Sequence, residues 1–482
     1  MPKLITGRDE AVIKKNALRC RQRGIIMPTI RQQMFPETIP DSIKQRLKPI
    51  GLWDIDPLNL FRITWKNDVN TGLFGAPNYF EVPRELTGVK ARVIGLVGKY
   101  FPTGAHKVGA AYGCLAPRLV TGSFDPEIHK AVWPSTGNYC RGGAFDCALL
   151  ACPSVAILPE EMSQERFSWL KEIGAEVYAT PGCESNVKEI YDKCDELRPD
   201  PQYIILNQFD EFGNPFWHYH VTGDAIHEVW NLIKTDKSRL SGFVSATGSA
   251  GTIAAGDYLK KHFPLMKTTA SEALECPTLL NNGFGGHRIE GIGDKHVPWV
   301  HNVRHTDAVA AIRDEDCMRL LRLFNEPAGQ EYLISEGISA EVVQNLPLLG
   351  ISSIGNLLAS IKQAKYFELN EDDVIFTIFT DSAGLYESRV QEQRALKGEY
   401  NAMQAALDRE AALNCQQYDN YLELSYQDRK RIHNLKYYTW IEQQGKTYEE
   451  ILAQWEPEYW QETFETNLDE LDASIEAFNA LI

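Results

Sequence analysis

The chain has 482 residues, 49 basic and 65 acidic, for a formal charge of −16, and that negative surplus argues against a general nucleic-acid or anionic-membrane binder. The length suffices to bury a large core in two or more structural units. No apolar run is long enough to span a bilayer and no cationic start leads into an apolar stretch, so a soluble cytoplasmic protein is expected.

Up to about Trp65 the sequence is mixed and punctuated by proline, which predicts a segment wrapped over the core or an interface. From Tyr79 the pattern alternates and then turns apolar, and Arg92 to Val97 reads as a buried strand. Phe101-Pro102-Thr103-Gly104-Ala105-His106-Lys107 follows: a small-residue turn, one lysine, then an apolar helical stretch from Val108 to Leu119. Further strands are predicted at Lys130–Trp133, Ser154–Leu158, Glu176–Ala179, Gly242–Ala246 and Ile375–Phe379. Helices are predicted at Ala144–Leu150, Ser163–Ile173, Ala225–Ile233 and Ile253–His262, with an irregular stretch from Asn207 to Tyr219. Such alternation implies a parallel sheet with helices on both faces. From about Ser388 onward Glu, Gln, Tyr and Trp recur with helical spacing and almost no strand signal. This predicts a helical appendix whose Tyr437, Tyr438, Trp440, Trp455 and Trp460 cover the core or a neighbouring subunit.

Lys107 is the residue with the clearest chemical setting. A lysine at the end of a strand, just before a helix, can be held partly desolvated, and desolvation lowers a lysine's pKa toward nucleophilic use and suits it to form an imine with an aldehyde cofactor. The turn Gly248-Ser249-Ala250-Gly251-Thr252 stands between a predicted buried strand and a helix start. Small residues there let backbone N–H groups converge on a phosphate, and the helix dipole adds favourable charge. Its spacing is not the dinucleotide G-x-G-x-x-G pattern and no basic P-loop residue follows, which weakens a nucleotide reading. Ser135-Thr136-Gly137-Asn138 offers hydroxyl and backbone donors for a carboxylate, and Asn138 a donor for a cofactor ring oxygen; the same string also reads as a helix N-cap. At the end of the late strand, Asp381-Ser382 presents a hydroxyl beside a carboxylate. The pairs His218/His220 and His301/His305 lack supporting Cys or carboxylate ligands, so no metal is expected. A Gly-x-Ser-x-Gly elbow is absent. Ten cysteines without C-x-x-C pairs read as buried thiols.

Taken in order, these segments resemble the β-family (fold type II) of pyridoxal-phosphate enzymes, and among them the cysteine synthase and cystathionine β-synthase groups. Thr103-Gly104-Ala105-His106-Lys107 is similar to the lysine segment of tryptophan synthase β, and Gly248 to Thr252 to the phosphate cup of cysteine synthase. Ser135 to Asn138 is similar to that enzyme's substrate loop. Asn207-Gln208-Phe209, the run Gly286 to Gly293 with Val297-Pro298, and Gly350-Ile351-Ser352-Ser353 extend the likeness over roughly Phe74 to Ser388.

The resemblance implies an α/β fold of two doubly wound sheet domains, tryptophan synthase β-like, with a C-terminal helical extension. Its expected divisions are an N-terminal extension, 1–70; a larger cofactor-binding domain, 71–115 with 225–388; a smaller substrate-loop domain, 116–224; and the extension, 389–482. It implies pyridoxal 5′-phosphate on Lys107, held by Asn138, Gly248, Ser249, Ala250, Gly251, Thr252 and Ser382, the last facing the pyridine nitrogen, with Asp381 as its rival. It implies a substrate carboxylate at Ser135, Thr136, Gly137 and Gln208.

The expected reaction is β-replacement on an O-activated serine or cysteine-type amino acid, through an aminoacrylate, by a thiol or sulfide nucleophile. β-Elimination and a catalytically silent scaffold are the alternatives. A homodimer is expected by family likeness alone. Two departures stand out: Val108-Gly109 follow the lysine where cysteine synthases have Asp-Arg, and Tyr139-Cys140-Arg141 follow Asn138 where they have Thr-Gly. The second places a tyrosine and an arginine where they would narrow the pocket or receive a further anionic group.

Overall fold

The computed structural model describes residues 2–482 except 136, 184 and 293. Its strands are β1 (Asn67–Asp68), β2 (Leu73–Phe74), β3 (Tyr79–Val82), β4 (Arg92–Val97), β5 (Lys130–Pro134), β6 (Ser154–Pro159), β7 (Glu176–Thr180), β8 (Tyr203–Ile205), β9 (Arg239–Ala246), β10 (Lys267–Ala273), β11 (Ala308–Ile312), β12 (Asp373–Phe379) and β13 (Tyr421–Glu423). Apart from the β1–β2 ribbon they form two sheets: seven strands in the order β13-β11-β10-β9-β12-β4-β3 and four in the order β7-β6-β5-β8. The smaller sheet is parallel throughout. The larger is parallel except at its edges, where β3 and β13 run antiparallel to their neighbours.

Both sheets are covered on both faces because their strands are apolar at odd and even positions alike. In β4, Ile94 and Leu96 pack into one core with the Lys107–Thr121 helix, while Val93 and Val97 pack into another with the Ile351–Tyr366 helix. In β5, Trp133 and Ala131 face the first of these cores, and Val132 faces Ile190 on the Val187–Leu197 helix. Parallel strands all point their carboxyl ends to one edge. The loops after β4, β9 and β12 therefore meet, and those after β5 and β8 face them from the smaller sheet.

Three expectations are corrected by the structure. The helix expected from Ala144 starts at Asn138. The Gly142-Gly143 pair within it is a packing surface: a Cβ at Gly142 would lie 2.7 Å from Cα of Val108. The stretch from Asn207 to Tyr219 is irregular only at first, since Gly213–Trp217 is helical and runs through a π-turn at His218–Thr222 into the Gly223–Ile233 helix. The tail is largely helical, yet β13 within it extends the larger sheet. Trp440 and Trp460 are buried, whereas Tyr437 and Tyr438 stay exposed. The Glu10–Arg23 helix and the C-terminal Tyr459–Asn479 helix both pack on the Lys107–Thr121 helix, so the two ends of the chain enclose it together. All ten cysteines are free.

Candidate active site

At the end of β4 the chain makes two successive left-handed residues, Thr103 and Gly104. The Trp53 ring covers them so closely that a Cβ at Gly104 would lie 2.9 Å from it. This turn delivers Lys107 to the first position of its helix. Its half-buried side chain reaches across to the loop after β9, where Nζ donates to Ser249 Oγ at 2.9 Å.

Beneath Lys107 lie two buried imidazoles. His106 is 3.3 Å through Nε2 from Thr380 Oγ1, and its ring meets that of His218 edge-on at 4.9 Å. Burial holds both well below the usual imidazole range, with the Lys107 charge acting in the same direction, so both are neutral at physiological pH.

Among the described residues, none of the backbone N–H groups from Gly248 to Thr252 donates to a backbone carbonyl. They precede the nine-residue Ala254–His262 helix, whose dipole is positive at that end. Ala250 takes φ +57°, a left-handed conformation that costs a side-chain-bearing residue roughly 1–2 kcal/mol. Close packing shapes the turn from behind, where a Cβ at Gly251 would run into the Asn214 carboxamide. Unspent amides just before a helix start suit a phosphate group, and the lysine 2.9 Å from the same turn suits an aldehyde on the same molecule.

The loops from the smaller sheet close the other side. Asn214 Nδ2 donates to Ser249 Oγ at 3.1 Å and to the Gln208 carbonyl at 2.8 Å. Gln208 Nε2 and the Gly137 N–H both donate to Ser135 Oγ at 3.1 Å. Asn138 opens its helix and donates through Nδ2 to Asp381 Oδ2 at 2.6 Å, which also receives the Tyr386 hydroxyl at 2.6 Å. Behind them Arg166 is buried against Glu290 and lies 3.9 Å from Asp381.

A small cavity of about 40 Å³ lies between the loops of the two sheets. Lys107, Ser135, Asn138, Gln208, Gly248, Ser249 and Thr252 line it, while Ala250 and Gly251 complete the turn behind and Gly137 bends the chain into Asn138. Ser382 is buried past the end of β12 but is not among the lining residues; Thr380 is. Thr136 lies outside the described residues, as does Gly293 of the Gly286 to Gly293 run. Sequence reasoning overlooked Thr380, Asp294 and Val187 as lining residues. Thr380 was within reach of it, because it directly precedes the Asp-Ser pair already singled out.

A family model described as "Pyridoxal-phosphate dependent enzyme" matches residues 99–381. A cysteine synthase from Staphylococcus aureus (strain Mu50) is 30% identical over 288 residues, which are 60% of this chain and 84% of that one. The cystathionine beta-synthase of Saccharomyces cerevisiae is 28% identical over 333 residues, 66% of this chain and 61% of that one. Among solved structures, O-acetyl serine sulfhydrylase isoform 3 from Entamoeba histolytica shares the fold with a TM-score of 0.56 at 23% identity, covering 70% of this chain and 93% of its own.

Proposed function

This chain belongs to the pyridoxal-phosphate dependent enzymes, and on that footing we propose that it carries out β-replacement on an O-activated serine or cysteine-type amino acid, with a thiol or sulfide as nucleophile. The observation that carries this reading is the lysine Nζ 2.9 Å from a turn of unspent amides, with a carboxamide and a small-residue loop lining the same cavity. Pyridoxal 5′-phosphate, when bound, supplies the electron sink that allows a substituent to leave the β-carbon of an amino acid.

The residues divide the remaining work. The amides of Gly248 to Thr252, with the Ser249 and Thr252 hydroxyls, hold the phosphate. Lys107 Nζ would hold the cofactor at its carbonyl carbon, and the same amine would serve as the base for the proton at the substrate's Cα. Ser135, Thr136, Gly137 and Gln208 bind the substrate's carboxylate, and Asn138 donates to the ring oxygen. The hydroxyl at the carboxyl end of β12 that would meet the ring nitrogen is Ser382 by its motif, with Thr380 as the competing candidate because it lines the cavity. A hydroxyl there leaves the ring a weaker sink than a carboxylate would, which favours prompt loss of the β-substituent over transamination.

The purified protein is expected to be yellow, and Lys107→Ala to abolish the adduct fixed by borohydride. A wild type that stays colourless after cofactor addition would overturn the enzyme reading in favour of a silent scaffold. Incubation with O-acetylserine and sulfide should yield cysteine; pyruvate and ammonia as the main products would instead assign β-elimination.

A further inference from the structure

We infer that Asp381 is a positioning residue whose buried carboxylate orients the Asn138 carboxamide, and so fixes the donor that Asn138 offers to the cofactor's ring oxygen. This rests on the role proposed for Asn138 above. Asp381 follows Thr380 at the carboxyl end of β12 and is fully buried, yet it does not line the cavity. Ser382, its neighbour in sequence, does not line the cavity either, and what sets Asp381 apart is the set of contacts its carboxylate already makes. Its Oδ2 is already engaged by Asn138 Nδ2 and the Tyr386 hydroxyl, both at 2.6 Å, and Arg166 Nη2 donates to that hydroxyl at 3.0 Å.

The geometry of a carboxamide makes this contact directional. The two N–H bonds of an NH2 group diverge at a fixed angle, so pinning one sets the direction of the other. An ionised carboxylate only accepts hydrogen bonds, so it also selects the amide orientation: Nδ2 faces Asp381, and Oδ1 is left buried without a hydrogen-bond partner. Burial pushes the Asp381 carboxyl up from its ordinary value, while the Arg166 charge and the Tyr386 and Asn138 donors oppose that push.

The carboxylate is packed tightly on its other side, where Oδ1 lies against Gly350 and has no hydrogen-bond partner among the described residues. A Cβ at Gly350 would lie 1.9 Å from Asp381 Oδ1 and 2.9 Å from the Tyr386 ring, so a side chain there would displace the carboxylate from this position. The Gly350 N–H also donates to the Asp381 carbonyl at 2.9 Å, which holds the backbone in place. Because Asn138 follows a strand of the smaller sheet and Asp381 a strand of the larger, the bond sets the amide from across the cleft.

A double-mutant cycle on the holoenzyme tests this, using Asn138→Ala, Asp381→Ala, Asp381→Asn and the Asn138→Ala/Asp381→Ala pair. The readouts are the dissociation constant for pyridoxal phosphate and the position of its visible band. Asp381→Ala is expected to weaken binding about tenfold and to move the band in the same direction as Asn138→Ala. The pair should be no weaker than Asn138→Ala alone, to within about twofold. Asp381→Asn, which keeps an acceptor oxygen but no charge, should fall between wild type and Asp381→Ala, and it completes the cycle with Asn138→Ala if Asp381→Ala does not fold. Multiplicative losses in the pair, or a band that moves in Asn138→Ala and stays fixed in both Asp381 variants, would overturn the inference and leave the proposed function standing. A wild type without a Lys107-dependent band would overturn the proposed function itself.

Discussion

Thr380 and Ser382 sit two residues apart past the end of β12, and under the proposed function only one of the two hydroxyls would meet the pyridine nitrogen. Ser382→Ala and Thr380→Val should therefore separate in the visible spectrum of the bound cofactor: one shifts the band and weakens binding about tenfold, and the other leaves both unchanged. Equal shifts, or none, would remove the hydroxyl from the mechanism. The departures after Asn138 have local explanations. Tyr139 lines the cavity and donates its hydroxyl to the Leu206 carbonyl at 3.1 Å, and the Cys140 thiol closes the turn by donating to the Gly137 carbonyl at 2.8 Å. Arg141 lies against the rings of Trp53 and Trp169, 5.7 and 4.8 Å from their centroids, and among the described residues no carboxylate is within ion-pair distance of it. Burial, reinforced by the charge of Arg166, brings its guanidinium down to about 10. It does not line the cavity, which corrects the expectation that it narrows the pocket or receives an anion there, and its setting between two indoles was not evident in the sequence.

Elements written with a consistent apolar pattern were legible. The strand predicted at Arg92 to Val97 is β4 with the same bounds, and β9 and β12 each extend the predicted stretch by a few residues. Elements that depend on distant partners were not. Tyr421–Glu423 is short and becomes a strand only because β11 offers an open edge. The short Ile30–Met34 helix begins with a Thr29 capping box and is also held from the far end of the chain, where Asp472 accepts the Ile30 N–H at 2.7 Å and the Arg31 N–H at 3.3 Å. Asp472→Ala removes that second cap and leaves the buried Ile30 N–H and the part-buried Arg31 N–H without it, so a loss of about 1–2 kcal/mol is expected in denaturant titration, with the cofactor's visible band unchanged. A variant as stable as wild type would show that the capping box holds the helix start unaided.

At the scale of the whole molecule, the C-terminal extension is tied to the loop that follows the Gly286 to Gly293 run. Lys436 Nζ donates to the Trp299 and His301 carbonyls at 2.9 and 2.8 Å and to Gln454 Oε1 at 2.6 Å, deep in the interior. Burial, with the charges of Lys436 and His433, lowers His301 to about 3. Between that value and the ordinary histidine value near 6.5 the unfolded chain binds a proton that the folded chain refuses, so stability falls as the pH drops through this window. The slope from this one residue is about 1.4 kcal/mol per pH unit. His301→Gln should therefore show a shallower loss of stability between pH 6.5 and 5 than wild type, and the same dependence above pH 7.5. Parallel curves for the two proteins would contradict the buried neutral imidazole.

What the sequence determined by itself was local: the lysine after its small-residue turn, the glycine-rich turn before a helix, and the apolar strands that require a covered parallel sheet. Each depends on a few adjacent residues whose conformational and burial preferences act over one or two turns of chain. The tertiary structure decided which of these meet. Ser135 with Gln208, Lys107 with Ser249, and Asn138 with Asp381 are separated by 73, 142 and 243 residues. They come together only because parallel strands carry the ends of both sheets to a common edge.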